Sequence, residues 1–287
     1  MRRRIFLAAL LPAGFATAVS AQDRLSLVAT FSILGDLAGE VGGERVEVRT
    51  LVGPDTDSHL YQPTPADVRA LARAQALVSN GLGFEGWLGR LAQAASFEGR
   101  RIVATTGVPV MNDDPHCWHD VACTRRYVAN IADGLESADP ANAGYYRERA
   151  RIYDLRLAAL DSWIRSEIDT VPEKQRKAIT GHDAFRYFAR AYGVTFEAAR
   201  GYAADSEPSA RDMAKLIRHA REQKIKALFI ENMSSPVLVR EIAEDVGAVV
   251  GPPLYSDALS PAGGPAATYE AMMRHNVEAL VAGMLRN

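Results

Sequence analysis

The sequence predicts an α/β protein built on parallel sheets, read as two lobes joined by one long backbone helix. Two observations carry this reading. Short apolar runs alternate with amphipathic stretches in both halves of the chain, the pattern of strands covered by helices. Between the halves, one amphipathic pattern runs unbroken from about residue 139 to 171. A single large α/β domain with that helix packed on its sheet satisfies the same pattern and remains the alternative.

The chain opens with Arg2, Arg3 and Arg4, an apolar stretch from Ile5 to Val19, and the small-x-small triplet Val19-Ser20-Ala21 before Gln22. This order reads as a cleavable secretory leader over residues 1–21, too short for a membrane span. The mature protein is therefore expected in the periplasm. No cysteine lies near the cleavage point, so nothing there suggests a lipid anchor.

In the first half, strands are predicted at residues 25–30, 46–52, 76–80 and 101–105, with helices at 33–41, 66–74 and 87–95. In the middle stretch, Tyr146, Ala150, Tyr153, Leu157, Leu160, Ile164 and Ile168 recur at steps of three and four, and charged residues fill the other faces. That spacing makes one helix with a single buried stripe, about 45 Å long at about 1.5 Å per residue. Pro172 ends it. Alternation then resumes: strand 177–180, a helix from 184, helix 209–223, strand 227–231, helix 237–246, strand 248–254 and a last helix near 266–285.

A formal net charge of −2 and the lack of any basic stripe point away from nucleic acid. The two cysteines, Cys117 and Cys123, are expected to form a disulfide in an oxidising compartment.

Six histidines are present, and their places matter more than their number. His59 lies in DSHLYQPTP (57–65), His116 in DPHCWHD (114–120) and His182 in GHDAF (181–185). Asp257 lies in LYSDALS (254–260). Each follows a predicted strand, at the edge where ligands bind in open α/β sheets. Three imidazoles and one carboxylate suit a tetrahedral zinc site. From spacing alone, a histidine at a strand end serves structure equally well, and Asp257 equally reads as a helix cap.

Six blocks in order carry a resemblance over nearly the whole mature chain: DSHLYQPTP, DPHCWHD, GHDAFRYFARAYG, EPSARDMAKL (207–216), LFIENMSSP (228–236) and LYSDALS. Together they resemble the metal-specific (cluster A-I) solute-binding proteins of ABC importers. The resemblance implies a first lobe at 22–138, a linking helix at 139–171, a second lobe at 172–287, and one metal ion in the cleft between lobes. Carried over, the ligands are His59 and His116 from the first lobe and His182 and Asp257 from the second. Manganese members of the family place a carboxylate where this chain has His182, so the metal is expected to be Zn2+. The implied role is capture of zinc and delivery to an inner-membrane ABC permease. A periplasmic zinc metallochaperone is a possible further partner, and the protein is expected to be a monomer and not an enzyme. The alternatives are a secreted zinc hydrolase with water in a fourth position, or a manganese-binding or adhesin-like member of the same fold.

The chain departs from the family in two ways. It lacks a His- and acid-rich loop after the first ligand, and it carries His119 beside an unusual cysteine pair. His119 is expected on the helix that follows, and His219 and His275 on the surface. Asp183 and Glu231 are candidates to hydrogen-bond the ligating imidazoles. Glu207, before Pro208, is expected to favour a helix N-terminus.

Overall fold

The structure, a computed structural model, describes residues 24–112, 114–199 and 210–287. The expected leader and Glu207 lie outside them. Among the described residues no helix is long and apolar enough to cross a membrane.

The first lobe holds β1 (Leu25–Phe31), β2 (Val46–Val52), β3 (Ala76–Ser79) and β4 (Arg100–Val103), all parallel in the order β2-β1-β3-β4. β1 is buried at every residue but Ser26, which is half-buried, because it is central and covered on both faces. α1 (Ser32–Gly42) packs on β1 and β2, and α4 (Val121–Ala138) on β3 and β4. α2 (Pro65–Arg73) starts where the sequence allows it. Pro65 takes the first helical position, and the Asp67 carboxylate accepts from the Thr64 backbone N–H at 2.7 Å. α3 (Leu88–Ala94) follows β3.

α5 (Ala143–Asp169) is the long helix, and its buried residues are the seven of the predicted stripe. It begins four residues later than expected because Asp139 closes α4 and Pro140 opens a separate 3-10 turn. At about 40 Å it lies against α1, α4 and the C-terminal α9 (Tyr269–Met284).

The second lobe repeats the strand order of the first. β5 (Lys177–Thr180) pairs with β6 (Thr195–Ala198), a strand the sequence pattern did not reveal. On the other side of β5, Leu228 bridges to Ile179 and then to Val250, and Glu231 bridges to Leu254. The strands expected at 227–231 and 248–254 are thus reduced to single bridges. Pro252 and Pro253 lack the N–H groups a continuous ladder needs. α6 (Arg186–Tyr192), α7 (Ala210–Glu222) and α8 (Val237–Val246) complete the lobe.

The main core runs without interruption from the first sheet through α4, α5 and α6 to α9. A smaller core, with Ile179, Leu228, Val239 and Ile242, lies under α8 in the second lobe.

Candidate metal centre

Four turns beyond the carboxyl ends of strands bring His59, His116, His182 and Asp257 together. One possible ligand atom from each lies within 4.8 Å of all the others. His116, His182 and Asp257 are fully buried, and His59 keeps a narrow opening to solvent. The His59 and His116 Nε2 atoms are 3.3 Å apart. Asp257 Oδ2 lies 3.4 Å from His59 Nε2 and 3.3 Å from His182 Nε2, and Oδ1 lies 3.6 Å from His116 Nε2.

These separations test whether a metal fits. Four donors about 2.0–2.1 Å from a zinc ion, arranged as a tetrahedron, stand about 3.3–3.4 Å from one another. The four separations given above are of that size and all four donors lie within 4.8 Å of one another, so the four residues can hold one divalent ion. The electrostatics agree. Neither oxygen of Asp257 and neither nitrogen of His182 makes a hydrogen bond of good geometry, although all are buried. Burying such groups unpartnered is costly unless charge compensates it. Burial alone raises a carboxyl, yet the His182 and His116 imidazoles hold Asp257 well below the usual carboxylate range. Burial opposes the charge on His182, but the Asp257 and Glu231 carboxylates hold its imidazole well above the ordinary histidine value.

Each imidazole is aimed from behind. His116 Nδ1 is 2.7 Å from Asp114 Oδ1, which also accepts the His116 backbone N–H at 2.9 Å. With Nδ1 so occupied, Nε2 faces the cluster. Glu231 Oε1 lies 3.3 Å from His182 Nδ1, and the same carboxylate accepts the backbone N–H groups of Gly181 and His182, both at 3.0 Å. Gly181 is required for this approach, since a Cβ there would stand 2.5 Å from Glu231 Oε2. His59 is held through its loop. Asp57 accepts its backbone N–H at 2.7 Å, and the Trp87 indole donates to the Ser58 carbonyl at 2.9 Å. The Phe84 ring closes on His59 edge to face, 4.6 Å between centroids.

Three expectations need correction. Asp183 pairs with Arg186, the Arg186 Nε donating to it at 2.7 Å, and not with the His182 imidazole beside it in the chain. Cys117 and Cys123 are not joined: both thiols are free and buried. Cys117 faces the Tyr127 and Tyr187 hydroxyls, while Cys123 faces Asp120 and Arg190. Burial raises both thiols, Cys123 to about 12, which suppresses the thiolate that oxidation requires. His119 lies in the 3-10 turn Cys117–His119 ahead of α4 and is fully buried, its ring 4.5 Å from that of Phe185. Burial, with the His116 imidazole nearby, lowers it to about 3, so it is neutral. His219 is exposed, and His275 is half-buried, its Nε2 2.9 Å from the Pro253 carbonyl.

Sequence reasoning missed Asp114, although it stands two residues before His116 in the DPHCWHD block. Phe84 and Trp87 carried no signal that would have singled them out.

The family model described as the zinc-uptake complex component A, periplasmic (ZnuA), matches residues 27–283. The chain belongs to this family. It is the metal-binding component of an ABC metal importer. Relatives in the family differ in the metal they are named for. The manganese-binding lipoprotein MntA of Bacillus subtilis (strain 168) is 32% identical over 275 residues, 91% of this chain and 90% of that one. The zinc-binding protein TroA of Treponema pallidum (strain Nichols) is 31% identical over 293 residues, 95% of this chain and 94% of that one. The solved structure of the Treponema pallidum periplasmic zinc-binding protein superposes with a TM-score of 0.86 at 30% identity, covering 92% of this chain and 100% of that one.

Proposed function

We propose that the protein captures one zinc ion in the periplasm through His59, His116, His182 and Asp257 and delivers it to an ABC permease in the inner membrane. The observation that carries this reading is the donor set: three imidazole nitrogens and one carboxylate, with Asp257 3.3–3.6 Å from each imidazole and every donor within 4.8 Å of the others. Nitrogen-rich sets of this kind favour zinc, whereas manganese prefers oxygen donors. The metal is cargo, so the chain's task is to bind and release it. Asp114 and Glu231 orient the imidazoles, and the buried, orphaned carboxylate of Asp257 supplies the negative charge that a cation neutralises. On this reading residues 1–21 are a cleaved leader and the mature protein acts as a monomer. Residues 22–138 and 172–287 form the two lobes, residues 139–171 link them, and a periplasmic metallochaperone is a possible supplier of zinc.

A second reading, manganese as cargo, is favoured by one feature. Both Asp257 oxygens face the cluster, so a bidentate carboxylate offers five donors in place of four. A competitive titration of metal-stripped protein decides, zinc against manganese, with His182→Ala in parallel. One zinc per chain, held far more tightly than manganese and weakened by His182→Ala, is the expected result. Tighter binding of manganese, or an unaffected His182→Ala variant, would sink the zinc assignment.

A further inference from the structure

Beneath the two first-lobe histidines lies a buried carboxylate outside the donor set. Glu85 follows β3 and accepts three hydrogen bonds. Thr30 Oγ1 and the Asn80 backbone N–H each donate to Oε1 at 2.6 Å, and the Gly81 N–H donates to Oε2 at 3.1 Å. Burial raises this carboxyl while the Thr30, Asn80 and Gly81 donors oppose the shift, and three hydrogen bonds to one buried group fix its geometry. Asn80, itself fully buried, passes the constraint on. Its Nδ2 donates to the carbonyl of Pro115 at 2.9 Å, its Oδ1 accepts from the Tyr127 hydroxyl at 2.6 Å, and its carbonyl accepts from Thr105 Oγ1 at 2.6 Å. Pro115 is the residue immediately before His116. The second lobe contains the counterpart. There Glu231, at the end of the third segment of the sheet, accepts two successive backbone N–H groups and thereby holds His182.

We infer that Glu85, acting through Asn80, is a positioning residue for His116 and so sets the metal affinity of the first-lobe pair. The two lobes use one device, a buried carboxylate clamping two consecutive backbone N–H groups. In the second lobe the clamp touches the histidine loop directly; in the first it reaches the histidine loop through one asparagine. A polar cluster this deep is costly unless every member is satisfied, and Glu85 and Asn80 leave none of their side-chain oxygens or nitrogens unpartnered. Removing Glu85 strands three donors, and removing the Asn80 amide frees the carbonyl that anchors the His116 turn.

The inference rests on His116 being a metal ligand, and the experiment separates the two. Zinc affinity is measured by chelator competition for Asn80→Ala, Glu85→Gln, the double variant and Tyr127→Phe, with His116→Ala as control. Cobalt(II) spectra of the same proteins report ligand geometry, which a purely structural role would leave unmoved. Asn80→Ala and Glu85→Gln are each expected to weaken zinc binding by roughly 10–100-fold and to shift the cobalt bands. The double variant should be little worse than the weaker-binding single variant, since the two residues act in series. Tyr127→Phe, which removes one hydroxyl and keeps the ring in the core, should lose a few-fold and guards against a harsher variant failing to fold. Wild-type affinity with an unchanged cobalt spectrum in folded Asn80→Ala, or losses that multiply in the double variant, overturns the positioning role. Should His116→Ala itself bind zinc like the wild type, the ligand assignment fails and not merely this inference.

Discussion

In the first lobe four strands pair along continuous ladders. In the second only β5 and β6 do, and the next two segments pair through isolated bridges, Leu228 with Val250 and Glu231 with Leu254. The strand order is the same, so the difference is one of finish and not of plan. It coincides with a division of the core: the first sheet belongs to the large continuous core, while the second is divided by face, Ala178, Ala227 and Phe229 lying in the large core and Ile179 and Leu228 in a small one. A parallel sheet can be interrupted by Pro252 and Pro253 where it need not form the scaffold. The site draws on both regions. His59 and His116 stand on the fully laddered lobe, and His182 depends on a carboxylate from the interrupted strand.

The largest expected effect tests whether the four donors act as one set across the two lobes. Asp257→Ala should lower zinc affinity by more than the roughly 10–100-fold typical of an outer hydrogen-bond partner. Chelator competition checks this, and a smaller loss than that of Asp114→Ala would remove Asp257 from the donor set.

Next come the partners behind the imidazoles. Glu231→Ala should cost more than Asp114→Ala, both within about 10–100-fold, because Glu231 also holds the Gly181 and His182 N–H groups. Gly181→Ala should act in the same direction by displacing Glu231, and wild-type zinc affinity in that variant would break the link between this glycine and the site.

Acid and base separate the two second-lobe donors from each other. In the metal-free protein the His182 imidazole is raised and the Asp257 carboxyl lowered. His182 therefore contributes stability that is full below about pH 6.5 and is lost as pH rises through its raised value. Asp257 contributes stability above about pH 4 that is lost only in strong acid. Zinc must also displace the His182 proton, so binding at neutral pH should release protons and weaken as pH falls. Calorimetry in buffers of different ionisation enthalpy measures that release, and its absence at pH 7 would contradict the raised His182.

Hydrogen exchange sharpens the comparison directly. Amides at 228–231 and at 250, 251 and 254 should exchange faster than those of β1 and β3 in metal-free protein. Equal protection in both lobes would mean that the broken ladder has no energetic consequence. The smallest effect concerns His119. Its neutral form is retained down to about pH 3, so the unfolded chain takes up a proton that the folded chain refuses. Stability from this group is present above about pH 6.5 and declines below it, by about 2 kcal/mol at pH 5. His119→Leu should flatten the acid limb of a melting-temperature profile, and an unchanged limb would argue against a buried neutral ring.

Much of this was legible in the chain because it is local. The seven apolar residues of α5 recur at helical spacing, the first-lobe strands are short apolar runs, and His59, His116, His182 and Asp257 follow such runs. Periodicity and position along the chain are enough to place the helix and the strands, whereas the four donors are singled out as a set by the ordered blocks of the family resemblance and not by spacing. Tertiary structure alone decided which carboxylates stand behind the imidazoles. Asp183, adjacent to His182, goes to Arg186, while Glu231 arrives from 49 residues away. It also left Cys117 and Cys123 apart on separate partners and buried His119 against Phe185. Those outcomes depend on which groups meet through space when two sheets and a helix close around one core, and chain spacing does not encode that closure.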